Sequence, residues 1–499
     1  MFVTKGKMFH SDKSKILSVI IPDKTPSLAS DCCVQGYVVD LSVEIRARAS
    51  ILESPSKITY REFILNVLNG ISLNAEKVQA EQIDIVADFY YPNSVKGSTR
   101  SDRGMGPRVT FDIDDFLPKE LAKTLTNSDF KTDLNNAFSH PEVLSAWNWT
   151  KDFCVTKDKQ HVVERINSVV GQRVICFHID SLEEADNRAV VHIKNMIEEN
   201  QRTSIIVRTT DSDVVVILVA FMAQFLEYCE RLKLWVNFGT GQHQRLISVN
   251  DIYNHLEESI SLALPFFHSF TGCDSTSSFY KMTKVKLFNG WMDCPMFEDI
   301  TAAFLRLSWQ PTDDVVNESL YHIEAFISYM YSKEIYDLDE LRFQMFRISS
   351  NNCFRDLPPS KQALKLHVKR SAYQAGWIWG NSISQIDSPH PQDWGWLVNN
   401  EQLIIEWTEV HDQSTLTSLV KTCKCRPVAI ATVATTATVA TASTTTVATA
   451  STATVATAST ATVATTATAT APKKCSSCSC AKKDIPCLEQ CKCARTCNT

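Results

Sequence analysis

The sequence predicts an α/β fold in which a parallel sheet is flanked by helices, followed by a helical extension, a low-complexity linker and a small cysteine-rich tail. Two observations predict it. Short apolar runs of strand length alternate with helical patterns over most of the first 296 residues, which is typical of layered domains with a parallel sheet. The composition then changes twice, first to an uncharged Ala/Thr/Val repeat at residues 427–472 and then to a stretch dense in cysteine. With 499 residues, of which 44% are hydrophobic, the chain is long enough for several domains with packed interiors.

The predicted elements follow one another in the order that a parallel sheet requires. The apolar runs expected to form strands are Tyr37–Val39, Ile83–Ala87, Val174–Ile179, Ser204–Val207 and Leu234–Phe238. Helical patterns cover Glu183–Asn200 and Val214–Leu232, and mostly helical patterns continue from Phe297. The expected domains are an N-terminal extension at residues 1–29, an α/β domain at 30–296, a helical extension at 297–422, a first cysteine pair at 423–426, the repeat at 427–472 and a tail at 473–499.

The overall charge excludes a polycation that coats nucleic acid. The net charge is -6 at pH 7, so any nucleic-acid contact must be local. Residues 472–499 are the local exception, with six basic and two acidic side chains. The N-terminal stretch has no apolar segment of signal-peptide length, and the apolar run Val214–Phe225 is too short to span a bilayer. We expect a soluble intracellular protein without a membrane partner.

Acidic residues recur where the predicted strands end. They are Asp40, Asp88, Glu184, Asp186, Asp211 and Asp213. Because ligands bind at the carboxyl ends of the strands in open α/β sheets, we expect these side chains to converge. Crowded carboxylates need cations, and their oxygen atoms suit Mg²⁺ or Mn²⁺. Two such ions would stabilise the in-line displacement of a phosphodiester, although surface loops are rich in acidic residues for other reasons too.

The residues around these acids resemble the flap-endonuclease/XPG group of PIN-like nucleases. The EAD of LEEADNR and the DSD of TTDSDVVVI are similar to two internal acid motifs of that group, and FTGCD, which ends in Asp274, resembles its GCD motif. Asp40 resembles the first acid of the group, and Asp88 resembles an acid that basic residues follow. The basic residues that would hold the scissile phosphate are Lys96, Arg100 and Arg103. The resemblance implies a PIN-like fold and two Mg²⁺ or Mn²⁺ ions held by seven carboxylates. Glu183, which is adjacent to Glu184, could take its place in the first internal acid motif.

One departure from the group concerns duplex binding. After the GCD motif the group has a glycine-rich helix-hairpin turn, whereas this chain has no glycine between Gly272 and Gly290. Lys281 and Lys284 would supply nonspecific phosphate charge there instead. The chain as a whole also resembles uncharacterised multicopy animal proteins, on segments such as HVKRSAYQAGWIWG and DWGWLVNNEQLIIEW. Since most of those proteins extend further at the amino end, we expect this N-terminus to be incomplete.

Nine cysteines near the C-terminus have the spacing of metal ligands. They are Cys423, Cys425, Cys475, Cys478, Cys480, Cys487, Cys491, Cys493 and Cys497. Three zinc ions that share nine sulfurs satisfy tetrahedral coordination. The spacing resembles the tesmin-type CXC domain, a zinc-cluster DNA-binding module, although the repeat separates the first C-x-C from the rest. The basic residues that would contact the DNA backbone are Lys473, Lys474, Lys482, Lys483 and Arg495. A disulfide-bonded or disordered tail is the alternative.

These resemblances imply a Mg²⁺-dependent, structure-selective nuclease that a zinc-cluster tail tethers to DNA in the nucleus. Two alternatives stay open. A DNA-binding protein related to mobile elements would keep the PIN-like scaffold without cutting, and a ribonuclease would use the same acids on RNA. The seven acids favour an enzyme, whereas the missing hairpin glycines favour a binding protein.

Overall fold

The computed structural model describes the greater part of the chain before residue 409. The described residues are 2–4, 7–23, 34–91, 94–97, 106–147, 152–157, 162–167, 173–179, 182–334, 337–348, 356–399 and 402–408. The chain divides into two compact units, one made of residues 1–342 with 353–408 and the other of residues 343–352 with 409–499. The nine tail cysteines and the tail lysines and arginine lie outside the described residues, and so do Arg100 and Arg103.

A mixed sheet forms the centre of the first unit. Within the described residues the strands are β1 (Val3–Thr4), β2 (Lys7–Met8), β3 (Gly36–Asp40), β4 (Gln82–Val86), β5 (Asp152–Lys157), β6 (Val162–Asn167), β7 (Arg173–His178), β8 (Ser204–Thr209), β9 (Lys233–Phe238), β10 (Arg245–Ser248), β11 (Trp396–Asn399) and β12 (Gln402–Ile405). Strands β3 to β10 make the main sheet, in the spatial order β10-β9-β8-β3-β4-β5-β6-β7. The pairs β1-β2 and β11-β12 are separate two-stranded sheets.

Helices surround this sheet. In the described part of the chain the α-helices are α1 (Leu17–Ile20), α2 (Leu41–Ala49), α3 (Tyr60–Lys77), α4 (Leu121–Thr124), α5 (Ser128–Ala137), α6 (Pro141–Ala146), α7 (Ala185–Glu198), α8 (Ser212–Tyr228), α9 (Val249–Phe270), α10 (Lys284–Met292), α11 (Phe297–Ser308), α12 (Asp313–Ser332), α13 (Leu338–Ile348) and α14 (Lys361–Ala372). A π-helical turn, Tyr373–Trp379, continues α14. None of the described helices combines the length and the apolar character that crossing a membrane requires.

The middle of the sheet is parallel, which confirms the predicted α/β class. Strand β3 pairs in parallel with β4 on one side and with β8 on the other, and the pairs β4-β5 and β8-β9 are parallel as well. The runs predicted as strands near Tyr37, Ile83, Ser204 and Leu234 are β3, β4, β8 and β9. Their continuous apolar sequences reflect burial on both faces of a parallel sheet.

The strand predicted at Val174–Ile179 has a different partner from the one expected. It is β7, which lies at one edge of the sheet and pairs antiparallel with β6 instead of joining the parallel strands. Since β5 also pairs antiparallel with β6, β5 and β7 run in the same direction. The carboxyl end of β7 therefore faces the same edge of the sheet as the carboxyl ends of the parallel strands.

The two faces of the sheet belong to two hydrophobic clusters. Successive side chains of a strand point to opposite faces, and on β3 Val38 belongs to one cluster while Tyr37 and Val39 belong to the other. The cluster of Val38 includes buried residues of α7, α8 and α9, and the second cluster includes α2, α3 and α5. Packing on the two faces holds in place the helices that begin at the carboxyl edge of the sheet.

The N-terminal stretch and the helices after residue 297 join the cluster of Val38. Ile16 and Leu17 are buried in it, and so are Phe304 of α11 and Trp379 of the π-helical turn. Residues 13–20 and 297–332 therefore belong to the same compact unit as the sheet. As a consequence, Lys13 of the N-terminal stretch lies close to the carboxyl edge of the sheet, beside Asp211.

Candidate metal centre

Several elements bring acidic residues to the carboxyl edge of the sheet. Asp40 is the last residue of β3, Asp88 follows β4, and Asp211 follows β8. Glu184 and Asp186 lie at the beginning of α7, which comes after β7. Because these strands run in one direction, their carboxyl ends place the acidic groups together.

The ammonium group of Lys13 connects three acidic residues. Its Nζ lies 2.8 Å from Asp211 Oδ1, 2.9 Å from Asp213 Oδ2 and 3.4 Å from Asp274 Oδ2. Asp274, which follows α9, therefore lies beside Asp211. Burial would lower the pKa of Lys13, but the three carboxylates outweigh it and raise that pKa well above its usual value.

Asp213 is held from the side opposite Lys13 by a buried histidine. His268 of α9 donates its Nε2–H to Asp213 Oδ1 at 2.9 Å, and both residues are almost completely buried. Burial lowers the pKa of His268 to about 4, with a further contribution from Lys284, so the ring is neutral at pH 7. Burial would raise the pKa of Asp213, but Lys13 and His268 outweigh it and hold that pKa well below its usual range. Asp213 is therefore ionised.

Lys96 neutralises a second group of carboxylates. Its Nζ lies 2.8 Å from Glu184 Oε2. Burial would lower the pKa of Lys96, but the charges of Glu184, Asp186 and Asp88 raise it well above its usual value. Asp88 in turn accepts a hydrogen bond from the backbone N–H of Ala185 at 3.0 Å, which connects the end of β4 to the first turn of α7.

Burial raises the pKa of most of the acidic groups. The pKa of Asp40 rises to about 7, first through burial and then through the charge of Asp88. The pKa of Glu184 also rises to about 7 through burial, against the opposing charge of Lys96. Burial and the charge of Asp211 raise the pKa of Asp186 well above its usual value. Carboxyl groups in this state favour a bound cation, because a positive charge stabilises their ionised form.

One buried carboxylate oxygen of this cluster has no hydrogen-bond partner among the described residues. Asp186 is 6% exposed, and its Oδ2 is fully buried without a donor. Ligand oxygens of Asp186, Asp211 and Asp213 all lie within 4.8 Å of one another. A buried polar atom without a partner is costly, and carboxylate oxygens are the ligands that Mg²⁺ and Mn²⁺ prefer. The donor set therefore fits a divalent ion.

The turn that carries Asp274 depends on Gly272. Its φ is 108°, and a Cβ at this position would lie 2.0 Å from Ser278 Oγ. The turn is closed by the backbone N–H of Cys273, which donates to Thr276 Oγ1 at 3.1 Å. The glycine of the FTGCD segment is thus required both by its left-handed backbone and by the space that Ser278 fills.

Comparison with known proteins returns nucleases of the flap-endonuclease/XPG group among solved structures. No family model matches the chain. No curated protein matches it either. The T5 D15 protein, co-crystallized with metal ions, is similar over 70% of this chain and 94% of its own, at 10% sequence identity and a TM-score of 0.34. The catalytic core of Rad2 in complex with DNA substrate is similar over 66% of this chain and 92% of its own, at 12% identity and a TM-score of 0.31.

The basic residues that the sequence singles out have different positions. Lys96 lies among the acids, whereas Arg100 and Arg103 lie outside the described residues. The prediction that Lys284 meets DNA phosphates is wrong, because this residue is 1% exposed and its Nζ donates to the backbone oxygen of His268 at 2.6 Å. Lys281 is exposed and forms a 2.8 Å ion pair with an aspartate.

The sequence analysis left open whether Glu183 or Glu184 belongs to the acidic cluster. Glu184 is buried and faces Lys96. Glu183 is half-buried and accepts a hydrogen bond from Ser94 Oγ at 2.9 Å. Of the two, Glu184 is therefore the one buried against the lysine of the cluster.

Two residues of the cluster are missed by the sequence analysis, Lys13 and His268. His268 could have been noticed, because it lies in the FFHSF stretch directly before the TGCD of FTGCD, on the apolar last turns of α9. A polar residue in such a helix needs a buried partner. Lys13 lies in a polar N-terminal stretch and carries no comparable signal.

Proposed function

We propose that this chain is a divalent-metal-dependent nuclease that hydrolyses phosphodiesters in structured DNA. The observation that carries the proposal is the buried Oδ2 of Asp186, which has no hydrogen-bond partner in the described part of the chain, in a residue grouped with Asp211 and Asp213. In the described part of the cluster, two lysines face a larger number of carboxylates. When all of these carboxylates are ionised they carry an excess of negative charge, which supports binding of a further cation.

A divalent ion at this position would polarise a phosphate group and make an attacking water more acidic. Asp186, Asp211 and Asp213 are the residues that would hold the ion. Lys96 would donate from Nζ to a non-bridging phosphate oxygen and offset the charge that develops during displacement. Glu184, 2.8 Å from that nitrogen, would keep the ammonium oriented.

The C-terminal tail extends the proposal to DNA binding. Its nine cysteines would hold about three Zn²⁺ ions. The lysines and the arginine among them would bind the DNA backbone by releasing counterions. DNA as the substrate and partner would place the protein in the nucleus.

Substitution of Asp211 by Asn tests the nuclease proposal. Asp211 caps α8 by accepting the backbone N–H of Asp213 at 2.9 Å, and Asn keeps an oxygen that can do the same. The substitution removes the charge, so we expect cleavage of labelled flap, hairpin and single-stranded DNA in Mg²⁺ to fall roughly 100-fold or more, with DNA binding retained. Asp387→Asn, at an exposed position, is the matched control and should cleave like the wild type.

A DNA-binding scaffold without activity is the second candidate. The observation that favours it is that Lys13 already places a positive charge beside Asp211, Asp213 and Asp274. Wild-type protein that binds DNA but cleaves neither DNA nor RNA in Mg²⁺ or Mn²⁺ would support the scaffold. Cleavage of RNA alone would support a ribonuclease that uses the same acids.

A further inference from the structure

Lys13 lies where a cation bridging three carboxylates would lie. Its Nζ contacts both oxygens of Asp211, at 2.8 Å and 2.9 Å. The same nitrogen is 2.9 Å from Asp213 and 3.4 Å from Asp274. The ammonium thus occupies the position between Asp211, Asp213 and Asp274.

The chain before Lys13 is fixed to the loop that carries Asp274. The backbone N–H of Ser278 donates to the Phe9 oxygen at 2.7 Å. Ser278 Oγ accepts hydrogen bonds from the backbone N–H and the hydroxyl of Ser11, at 3.0 Å and 2.8 Å. The N-terminal stretch and the Asp274 loop therefore hold each other in place.

The chain after Lys13 is fixed as well. Lys13 is the first residue of the 3₁₀ helix Lys13–Ile16, and Asp12 caps this helix by accepting the Ser14 backbone N–H at 3.0 Å. Ile16 and Ile20 are fully buried in the main hydrophobic cluster. With anchors on both sides, the ammonium is held in the cluster by the fold.

We propose that Lys13 takes the place of a second divalent ion, so that the centre binds one divalent ion on the side of Asp186. This inference rests on the proposed function, which supplies the first ion. An ammonium and a divalent ion cannot occupy the same position between Asp211, Asp213 and Asp274, since like charges at so short a distance repel strongly in a buried site. The chain itself therefore provides the second positive charge.

The number of bound Mn²⁺ ions tests the inference on the full-length, zinc-loaded protein. Equilibrium dialysis should give about one Mn²⁺ in the wild type and about two in Lys13→Met, because the variant removes the ammonium from its position between the carboxylates. Electron paramagnetic resonance should then show an isolated ion in the wild type and an exchange-coupled pair in Lys13→Met. Lys15→Met removes the same charge from an exposed position of the same 3₁₀ helix and should bind Mn²⁺ like the wild type.

The outcomes separate the inference from the proposed function. Wild-type protein with a coupled pair of Mn²⁺ ions would overturn the inference and leave the nuclease proposal standing. Wild-type protein that binds no Mn²⁺ at millimolar concentration would overturn both. If Lys13→Met does not fold, the wild-type count decides alone, and Lys13→Arg, which keeps a cation, should match the wild-type count.

Discussion

Asp213 is held from two sides, by the ammonium of Lys13 and by the imidazole of His268. His268→Leu would remove the second hydrogen bond and leave Asp213 Oδ1 buried without that donor. Hydrogen bonds to a metal ligand orient it, and their loss typically weakens metal binding by about 10–100-fold. We expect a decrease of this size in Mn²⁺ affinity, measured by titration calorimetry.

His268→Gln is the matched control for this prediction. The amide nitrogen of Gln reaches the position of Nε2 and keeps a donor to Asp213, so most of the Mn²⁺ affinity should remain. Equal Mn²⁺ affinities for the wild type and His268→Leu would mean that the imidazole does not support the site.

A second buried histidine makes the stability of the fold depend on pH. His367 of α14 is 0% exposed, stacks on Phe2 and donates its Nε2–H to the Phe270 backbone oxygen at 2.7 Å. Burial lowers its pKa from 6.5 to about 3. Between these two values the unfolded chain binds a proton that the folded chain does not bind. The free energy of unfolding therefore decreases as the pH falls through this range, by up to about 1.4 kcal/mol per pH unit.

Urea unfolding at pH 7 and at pH 5 measures this contribution. His367→Gln keeps a donor for the Phe270 oxygen but has no titrating group, so its free energy of unfolding should decrease less between the two pH values than that of the wild type. His255→Gln, on an exposed face of α9, should leave the wild-type pH dependence unchanged. The prediction is contradicted by the same pH dependence in all three proteins.

At the scale of elements, the sequence predicts the strands that carry the site better than those at one end of the sheet. Strands β3, β4, β8 and β9 have continuous apolar runs because both of their faces are covered. Strands β5 and β6 have the mixed sequences DFCVTK and VVERIN, which carry no such run. Without these two strands, the sequence pattern could not reveal that β7 pairs antiparallel with β6.

The FTGCD turn is the element whose local sequence most directly fixes the geometry of the site. Gly272→Ala would place a Cβ 2.0 Å from Ser278 Oγ, on a residue whose φ is 108°. Strain and overpacking together should lower the free energy of unfolding by about 3 kcal/mol. Because Ser278 also anchors Phe9 and Ser11, the variant should weaken Mn²⁺ binding too.

Gly241→Ala is the matched control for the turn. Gly241 also has a positive φ, of 54°, but a Cβ there would meet nothing within 4 Å. The expected cost is about 1 kcal/mol from the left-handed backbone alone, with unchanged Mn²⁺ affinity. Urea unfolding of both variants measures the difference, and equal losses would show that Ser278 moves aside without cost.

At the scale of the whole molecule, the acids of the site are predictable and its internal cations are less so. The acids follow strand ends, which the local pattern reveals. Lys13 reaches them because Ser11 and Ser278, 267 positions apart in the sequence, are hydrogen-bonded. A contact between residues so far apart in the sequence depends on tertiary packing. The polar stretch around Lys13 has no periodicity from which this contact could be inferred.

The last prediction concerns the tail, which lies outside the described residues. Cys423 and Cys425 are separated from the other seven cysteines by the Ala/Thr/Val repeat, and loop entropy grows slowly enough with length for one cluster to include all nine. The full-length protein should then bind about three Zn²⁺ ions. Cys425→Ser should lower both the zinc content, measured by atomic absorption, and the affinity for DNA at fixed salt, because metal binding and folding are coupled in small zinc domains.

Cys229→Ser, a substitution in the first unit, should change neither quantity. An unchanged zinc content in Cys425→Ser would mean that the repeat has separated the first cysteine pair from the cluster.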